Sequence, residues 1–392
     1  MAFSAHLADE DIKATFEPPD KIDQKAKKLA DLIRKSKHFI VFTGAGVSTA
    51  AGVPDFRGPQ GKWTLEAQGK HLTTSSECTL QAIPTPTHMA LVALQNCGIL
   101  EQLVSQNCDG LHRRSGIRSE MISELHGNSN RETCRRCGTA YLRDFRAVAS
   151  HEKSVYNHRT GRKCTLCRGE LMDTLVHFGE DLPESTMGCA RDHAEKADLC
   201  LVLGSSLRVT PASSIPEVVG LRKGGKLVIC NLQQTPFDNL ASVRVWAKAD
   251  DLMTKVMQYL AVRVPPFILT RRLELRTVKK SRGFQVAVQG MDVDGTPASF
   301  LQSVKIERRI AKAEPYTFEL REELLAGAEV TLLMSFMGYY DEPDLELRHQ
   351  YRSGEHERNC YILRFDPSNG QWETELEVGQ SANVEKLSGL AI

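Results

Sequence analysis

The sequence has no apolar run approaching the roughly 20 residues that a membrane helix needs, so no membrane partner is expected. Its opening residues lack the apolar core of a signal peptide and carry Asp9, Glu10, Asp11 and Glu17, which sets the expectation of a soluble intracellular protein. Charge of one sign is missing too: 50 Lys+Arg stand against 49 Asp+Glu, a formal net charge of +1. That balance gives no global pull towards nucleic acid, so any basic surface must be local. There is no internal repeat and no low-complexity tract. Cysteine is present but in odd number, 11, with two C-x-x-C pairs, which argues for metal ligation in a reducing compartment over a disulfide framework.

A chain of 392 residues exceeds one usual domain, so a large domain and a smaller one are expected. "KIDQKAKKLADLIRKSK" spaces Ile22, Ala26, Leu29 and Ile33 at helical intervals and leads into a first strand. "HFIVFTG" and "DLCLVLGSS" are apolar runs ending at or near Gly, and "KLVICNLQ" is one ending in polar residues. They read as buried parallel strands. Helical stretches such as "PTHMALVALQNCGI" and "PASSIPEVVGLRKG" lie between them. The alternation predicts an α/β fold with a Rossmann-like, doubly wound parallel sheet whose ligand sits at the carboxyl ends of the strands. From about 128 to 172 the texture changes to Arg, Cys and Gly, as expected of a small insertion. Beyond "VPPF", β-rich runs separated by Gly and Pro predict a C-terminal β-rich domain over 268–392.

Within the insertion, Cys134, Cys137, Cys164 and Cys167 form two C-x-x-C pairs with the spacing of a structural zinc site. Four thiolates would complete a tetrahedron and leave no position for water, so the zinc is expected to be structural. Cys78, Cys97, Cys189, Cys200, Cys230 and Cys360 read as small core residues, and Cys108, beside Asn107 and Asp109, as a packed thiol with a reactive one as the alternative.

"FTGAGVSTAAGVPDFRG" follows the first strand. Gly44 suits a tight turn and Gly46 a close backbone approach to phosphate, although Thr49 stands where a dinucleotide fingerprint needs its third glycine. With "QNCDGLH", "ELHG", "GSSL" and "NLQ" in that order, the stretch resembles the sirtuin family of NAD-dependent protein lysine deacylases over about Lys37 to Leu260. "DFRGPQGKWTLEAQGK", "TLVHFGE" and "NLQQTPFD" resemble the branch of sirtuins six and seven, nearer the seventh.

The resemblance implies a catalytic domain over 36–262, preceded by an extension over 1–35 with a basic helix. It implies His126 as general base, a role suited to an imidazole near neutral pH, with Asn107 and Asp109 beside it in catalysis. For NAD as co-substrate it implies Gly44, Ala45, Gly46, Thr49, Asp55, Phe56, Arg57 and Trp63 around the phosphates and nicotinamide ribose, with Gln106, Asn107, Asp109 and His126. Gly204, Ser205, Ser206, Asn231, Gln233 and Ala249 fall to the adenosine half. Val176, His177, Phe178 and Gly179 would receive the acyl-lysine strand. The expected products are nicotinamide and O-acyl-ADP-ribose.

Expected partners are acylated histone or other chromatin proteins, with DNA or the nucleosome as candidate activator. The expected location is nuclear, with the cytoplasm as alternative. Long-chain deacylation, mono-ADP-ribosyl transfer and a chromatin scaffold with weak catalysis stay open. "RRLELRTVKKSR" reads either as an exposed edge strand or as a nuclear-import or DNA-phosphate patch.

Overall fold

The computed structural model describes residues 13–70, 78–150, 154, 156–320, 327–352 and 356–377. The chain divides into two compact units, Met1–Phe267 and Ile268–Ile392. Among the described residues no helix is long and apolar enough to cross a membrane.

The first unit contains strands β1 (Phe39–Thr43), β2 (Leu100–Ser105), β3 (Ile122–Glu124), β4 (Arg131–Cys134), β5 (Ala140–Arg143), β6 (Arg159–Lys163) and β7 (Glu170–Asp173). β8 (Leu199–Leu203), β9 (Lys226–Cys230) and β10 (Ala241–Val245) complete it. Its main sheet runs β10-β9-β8-β1-β2-β3, parallel throughout. The chain first builds outward from β1 to β3, then returns to the other side of β1 with β8, so the strand order reverses between β1 and β8. In such a sheet a crevice opens there, at the carboxyl ends of the strands.

Every residue of β1 and β8 is buried, because helices cover both faces. Phe39 and Val41 point into one core with Ile22, Leu29, Ile33, Leu91 and Met253. Ile40 and Phe42 point into the other with Met187, Ala190, Ile215 and Val202. Helix Pro19–Lys35 therefore belongs to this unit: its Ile22, Ala26, Leu29, Ala30 and Ile33 stripe is buried. Each large apolar side chain there contributes about 1.5–3 kcal/mol.

The insertion folds as antiparallel strands in the order β5-β4-β7-β6. Its two C-x-x-C turns share one geometry. Cys134 N–H donates to Thr139 O (2.9 Å) and Cys164 N–H to Gly169 O (2.8 Å). The residue after each second cysteine is left-handed, Gly138 at φ 74° and Arg168 at φ 61°.

The second unit holds β11 (Leu269–Lys279), β12 (Phe284–Met291), β13 (Ala298–Ser299), β14 (Leu301–Ile306), β15 (Arg309–Ala311), β16 (Tyr316–Leu320), β17 (Glu329–Phe336), β18 (Leu345–Gln350), β19 (His356–Asp366) and β20 (Gln371–Glu377). Two antiparallel arrays, β16-β12-β11-β19-β20 and β15-β14-β17-β18, face each other. Tyr316 Oη donates to Leu301 O (2.6 Å), and Phe336 stacks on Trp372 at 4.5 Å. The edge-strand reading of "RRLELRTVKKSR" is corrected here. β11 is central, paired with β12 and β19, and Leu273, Leu275 and Glu274 are fully buried. Alternating charges marked its faces but not its position. Arg272 pairs with Glu377 and Arg276 with Glu274, which also takes Arg358 from β19, so two of the six basic side chains of that stretch are paired within the unit.

Candidate functional site

The loops after β1 and β8 meet at the switch point, and their glycines explain the contact. Gly44 opens a tight turn, its carbonyl accepting from Val47 N–H (3.2 Å), but its φ of −130° is open to any residue, so the need for glycine there is steric. A Cβ on Gly44 would lie 2.8 Å from Gly204 O, and one on Gly46 2.7 Å from Gly204 Cα. The contact is sealed by Gly46 N–H donating to Gly204 O (2.9 Å) and Gly44 N–H to Leu203 O (3.0 Å). Ala45 lies between the two glycines in a short 3-10 turn, and Thr49 donates to Gly46 O (3.1 Å).

Beside this contact, after β2, stand Gln106, Asn107 and Asp109. Asn107 Nδ2 donates to Gly44 O (3.1 Å) and Ser48 Oγ (3.3 Å). Because Gly44 O can only accept, the amide orientation is fixed and Oδ1 is left for another donor. Ser48 Oγ in turn donates to Asp109 Oδ2 (2.7 Å), and Asp109 Oδ1 accepts from Leu111 N–H (2.9 Å). Asp109 thus orients Asn107 through Ser48, a buried serine that the sequence reading passed over. Its signal was its place inside "GVST". Gln106 Nε2 donates to Ser205 Oγ (2.8 Å), which also accepts from Leu207 N–H (3.2 Å); Ser205 is buried support for Gln106.

His126 follows β3. Its Nδ1 lies 3.0 Å from Gln106 O, so Nδ1 carries the proton and Nε2 has a free lone pair, with no partner among the described residues. Burial holds its pKa below the ordinary histidine value against the opposing pull of the Gln106 carbonyl, so the ring is neutral near pH 7. The next residue must be glycine: Gly127 sits at φ 77°, and a Cβ there would lie 1.7 Å from Thr174 O. Cys108 packs beneath, its thiol donating to His126 O (3.2 Å) and pushed up to about 12 by burial. It is an inert packed thiol, as expected.

The polar loop to Arg57 ends in an aromatic row. Trp63 lies 5.0 Å from Phe56 and 5.7 Å from Phe178, ring to ring. The Arg57 guanidinium sits 4.4 Å over Trp63 and donates to Ser206 Oγ at 3.4 Å. Burial and the neighbouring Arg208 hold the Arg57 pKa down to about 10. Asp55 organises the loop: its carboxylate accepts from Gly58 N–H (3.0 Å), and burial raises its pKa. Phe56 is 45% and Phe178 60% exposed, so the row lines an open surface.

Beyond β9, Asn231 folds back, Nδ2 donating to Gln233 O (3.0 Å). Arg244, which the sequence reading did not single out, holds this loop by donating to Asn231 O (2.9 Å), Gln233 O (2.6 Å) and Asp238 Oδ1 (2.8 Å). Its signal was a lone cation alternating within "ASVRVW". Ala249 is the buried first residue of helix Ala249–Leu260.

Val176 N–H donates to His126 O (3.1 Å), and Leu175–His177 lies in neither helix nor strand. Gly179 is left-handed at φ 93°, turning the chain after Phe178.

The four insertion thiols lie within 4.8 Å of one another, with Cys134–Cys167 at 3.4 Å and Cys137–Cys164 at 3.7 Å. Zn–S bonds of about 2.3 Å place tetrahedral sulfurs ~3.8 Å apart, so these residues fit a structural zinc. Arg136 N–H and Tyr141 Oη also approach the sulfurs, at 3.4 and 3.1 Å. Of the remaining cysteines, Cys200 and Cys230 are buried, Cys189 and Cys360 half-buried and Cys97 exposed. The core reading of Cys97 is thereby corrected: it follows helix Pro86–Asn96 at its solvent end. The Cys78 side chain lies outside the described residues.

Residues 69–211 match the Sir2 family. The chain is 46% identical over 255 residues to the NAD-dependent protein deacetylase SRT1 of Arabidopsis thaliana, covering 64% of this chain and 53% of that protein. It thus spans about half the length of that relative. Likeness to the protein of the same name in Oryza sativa subsp. indica is 38% over 335 residues, covering 82% of this chain and 68% of that one, and so reaches into the second unit. The NAD-dependent protein deacetylase Sirt6 of Drosophila melanogaster is 38% identical over 259 residues, covering 64% of this chain and 80% of that protein. With that share of a curated relative matched at this identity, the chain belongs to the Sir2 family.

Proposed function

We propose that this protein is an NAD-dependent protein lysine deacylase with His126 as its general base. The observation that carries the reading is the state of that ring: neutral, with Nδ1 committed to Gln106 O and Nε2 open. Through Gln106, which bonds Ser205, it is tied to the loops that cross at Gly44, Gly46 and Gly204.

NAD, when bound, supplies a ribose carbon open to attack and nicotinamide as leaving group. Asn107 Oδ1, aimed by Ser48 and Asp109, accepts from the carboxamide of that leaving group. With NAD bound, Nε2 of His126 would accept the proton of a ribose hydroxyl. Arg57 would meet the phosphates, and Phe56, backed by Trp63, would keep water from the reacting carbon. Gly44, Ala45, Gly46 and Thr49 shape the phosphate side, while Gln106, Ser205, Ser206 and Gly204 support the ribose side. Asn231, Gln233 and Ala249, set by Arg244, border the adenosine. Val176 to Gly179 pairs with the acyl-lysine strand. Asp55 holds the shape of the loop that carries Phe56 and Arg57 to the cofactor.

A nuclear, chromatin-borne substrate is the finer reading. It is supported by the likeness to a protein named Sirt6 and by the sequence motifs of the sixth and seventh type. The test is mass spectrometry of purified protein with NAD and acetylated or myristoylated histone peptides, with and without DNA. O-acyl-ADP-ribose and deacylated peptide are expected. ADP-ribose added to protein, without acyl loss, would replace this reading with ADP-ribosyl transfer.

A further inference from the structure

A second histidine cluster stands against the segment that follows β7. His158 Nδ1 lies 2.7 Å from Asp173 Oδ1, and Nε2 lies 2.8 Å from Glu180 Oε1. Both ring nitrogens face carboxylate oxygens, so both must donate, and the ring that satisfies this geometry is the imidazolium. The side chain is 19% exposed, with Asp173 at 1% and Glu180 at 22%, so neither ion pair is freely hydrated.

What the two carboxylates hold gives the cluster its consequence. Glu180 Oε2 accepts the His177 N–H (2.7 Å), and Glu180 N–H donates to His177 O (3.1 Å), closing the turn through Phe178 and Gly179. Asp173 accepts from Leu175 N–H (3.2 Å) and Ala149 N–H (2.7 Å). The His177 ring stacks on His158 at 5.6 Å. His158 itself is anchored by Asp173 N–H donating to its carbonyl (2.8 Å). One cation thus ties the zinc-bearing insertion to both ends of the Leu175–Glu180 segment.

We propose that His158 is a positioning residue for substrate: as an imidazolium bridging Asp173 and Glu180 it locks the Val176–Gly179 segment in the register that receives the acyl-lysine strand. Loss of its proton releases Glu180 and weakens peptide capture without altering the step at His126. The substrate role rests on the function proposed above; the clamp itself does not. Its two carboxylate partners raise the His158 pKa against the lowering effect of burial, and the His158 ring with the His177 N–H lowers that of Glu180 against its own burial. The groups facing His158 are Asp173 from β7, Glu180 from the following turn and the stacked His177. A raised folded pKa means the clamp is present at lower pH and lost as pH rises through it. His126 is shifted the other way, so its base form persists across the same window.

The test uses the full zinc-loaded chain and His158→Gln, which cannot donate from both sides. KM for an acetylated peptide, KM for NAD and kcat are measured from about pH 6.5 to 9. Hydrogen-exchange protection of the His177 and Phe178 amides is followed over the same range, corrected for intrinsic exchange. In the native protein, peptide KM should rise roughly 5–20-fold with pH while kcat and NAD KM stay level. His158→Gln should show the high value throughout, with unchanged zinc content and melting within a few degrees. His158→Arg, a permanent cation, should flatten the profile at a lower KM. Identical pH profiles for native protein and His158→Gln would overturn the proposal. Amide protection that ignores both pH and substitution would overturn the clamp. Protection that falls without a change in peptide KM would overturn the substrate role. If no turnover is found at all while protection still falls, the deacylase reading fails and the clamp stands.

Discussion

Gly46→Ala tests the crossing of the two loops at the switch point. The added Cβ would lie 2.7 Å from Gly204 Cα and 2.9 Å from Gly204 O, against an ordinary carbon contact of about 3.5–4.0 Å. Both obstructing atoms are backbone, and Gly204 is itself left-handed at φ 62°, so no flexible side chain can yield. Relief requires the loops to part, which breaks the Gly46–Gly204 hydrogen bond. Overpacking costs about 1–3 kcal/mol and the lost bond about 1 kcal/mol, so ~2–4 kcal/mol in all. For a unit of this size that lowers Tm by roughly 5–15 °C, with NAD affinity lost in parallel. Gly188→Ala is the matched control: it lies within helix Glu184–Lys196, and its nearest contact would be Glu184 Oε1 at 3.9 Å. The better helix propensity of alanine should add about 0.5–1 kcal/mol and raise Tm slightly. Scanning calorimetry and an NAD binding isotherm read both variants. A Gly46→Ala protein melting within a degree of the native one would refute the steric argument.

Cys137→Ser removes one of four thiolates. Because structural zinc contributes on the order of 10 kcal/mol to such modules, zinc content should fall and amides of β4 to β7 should lose exchange protection; a protected, zinc-free insertion would contradict the assignment. The lowered pKa of His126 means that the base stays neutral below the usual histidine value of about 6.5. The acid limb of kcat/KM should therefore fall below that pH, and a limb centred above 7 would contradict the burial argument. Trp63→Ala removes two aromatic contacts of about 0.5–1.5 kcal/mol each and a cation–π contact of about 0.5–1 kcal/mol. KM for both NAD and peptide should rise on the order of tenfold with kcat retained, and steady-state kinetics showing only one KM moved would break the link drawn between Phe56 and Phe178.

Much of this was legible in the sequence where one local signal sufficed. Buried strands announce themselves as unbroken apolar runs, as in β1, β8 and β9, and two C-x-x-C turns specify a thiolate tetrahedron. β2, β3 and β10 were harder: Glu101, Arg244 and the brevity of Ile122–Glu124 dilute the apolar signal, and only pairing in the sheet defines them. Motif order offered candidate site residues, but not the hydrogen bonds that hold each of them in place. Asp55 and Asn231 bond within their own loops, to Gly58 and Gln233, whereas Ser205 is bonded by Gln106 from another loop, a partner that only three-dimensional closure supplies. Ser48 and Arg244 were missed for the same reason. The central position of β11 could not be read either, since alternation fixes which face a residue occupies and says nothing of how many neighbours its strand has.

The most direct measurement compares native protein and His126→Ala in one mass-spectrometric assay with NAD and an acetylated lysine peptide. Calorimetry should confirm that both fold alike and bind NAD. The native protein should yield deacetylated peptide and O-acetyl-ADP-ribose, and the variant should lose at least about a hundredfold, the scale of a general base. Equal turnover by the two proteins would contradict a general base at His126.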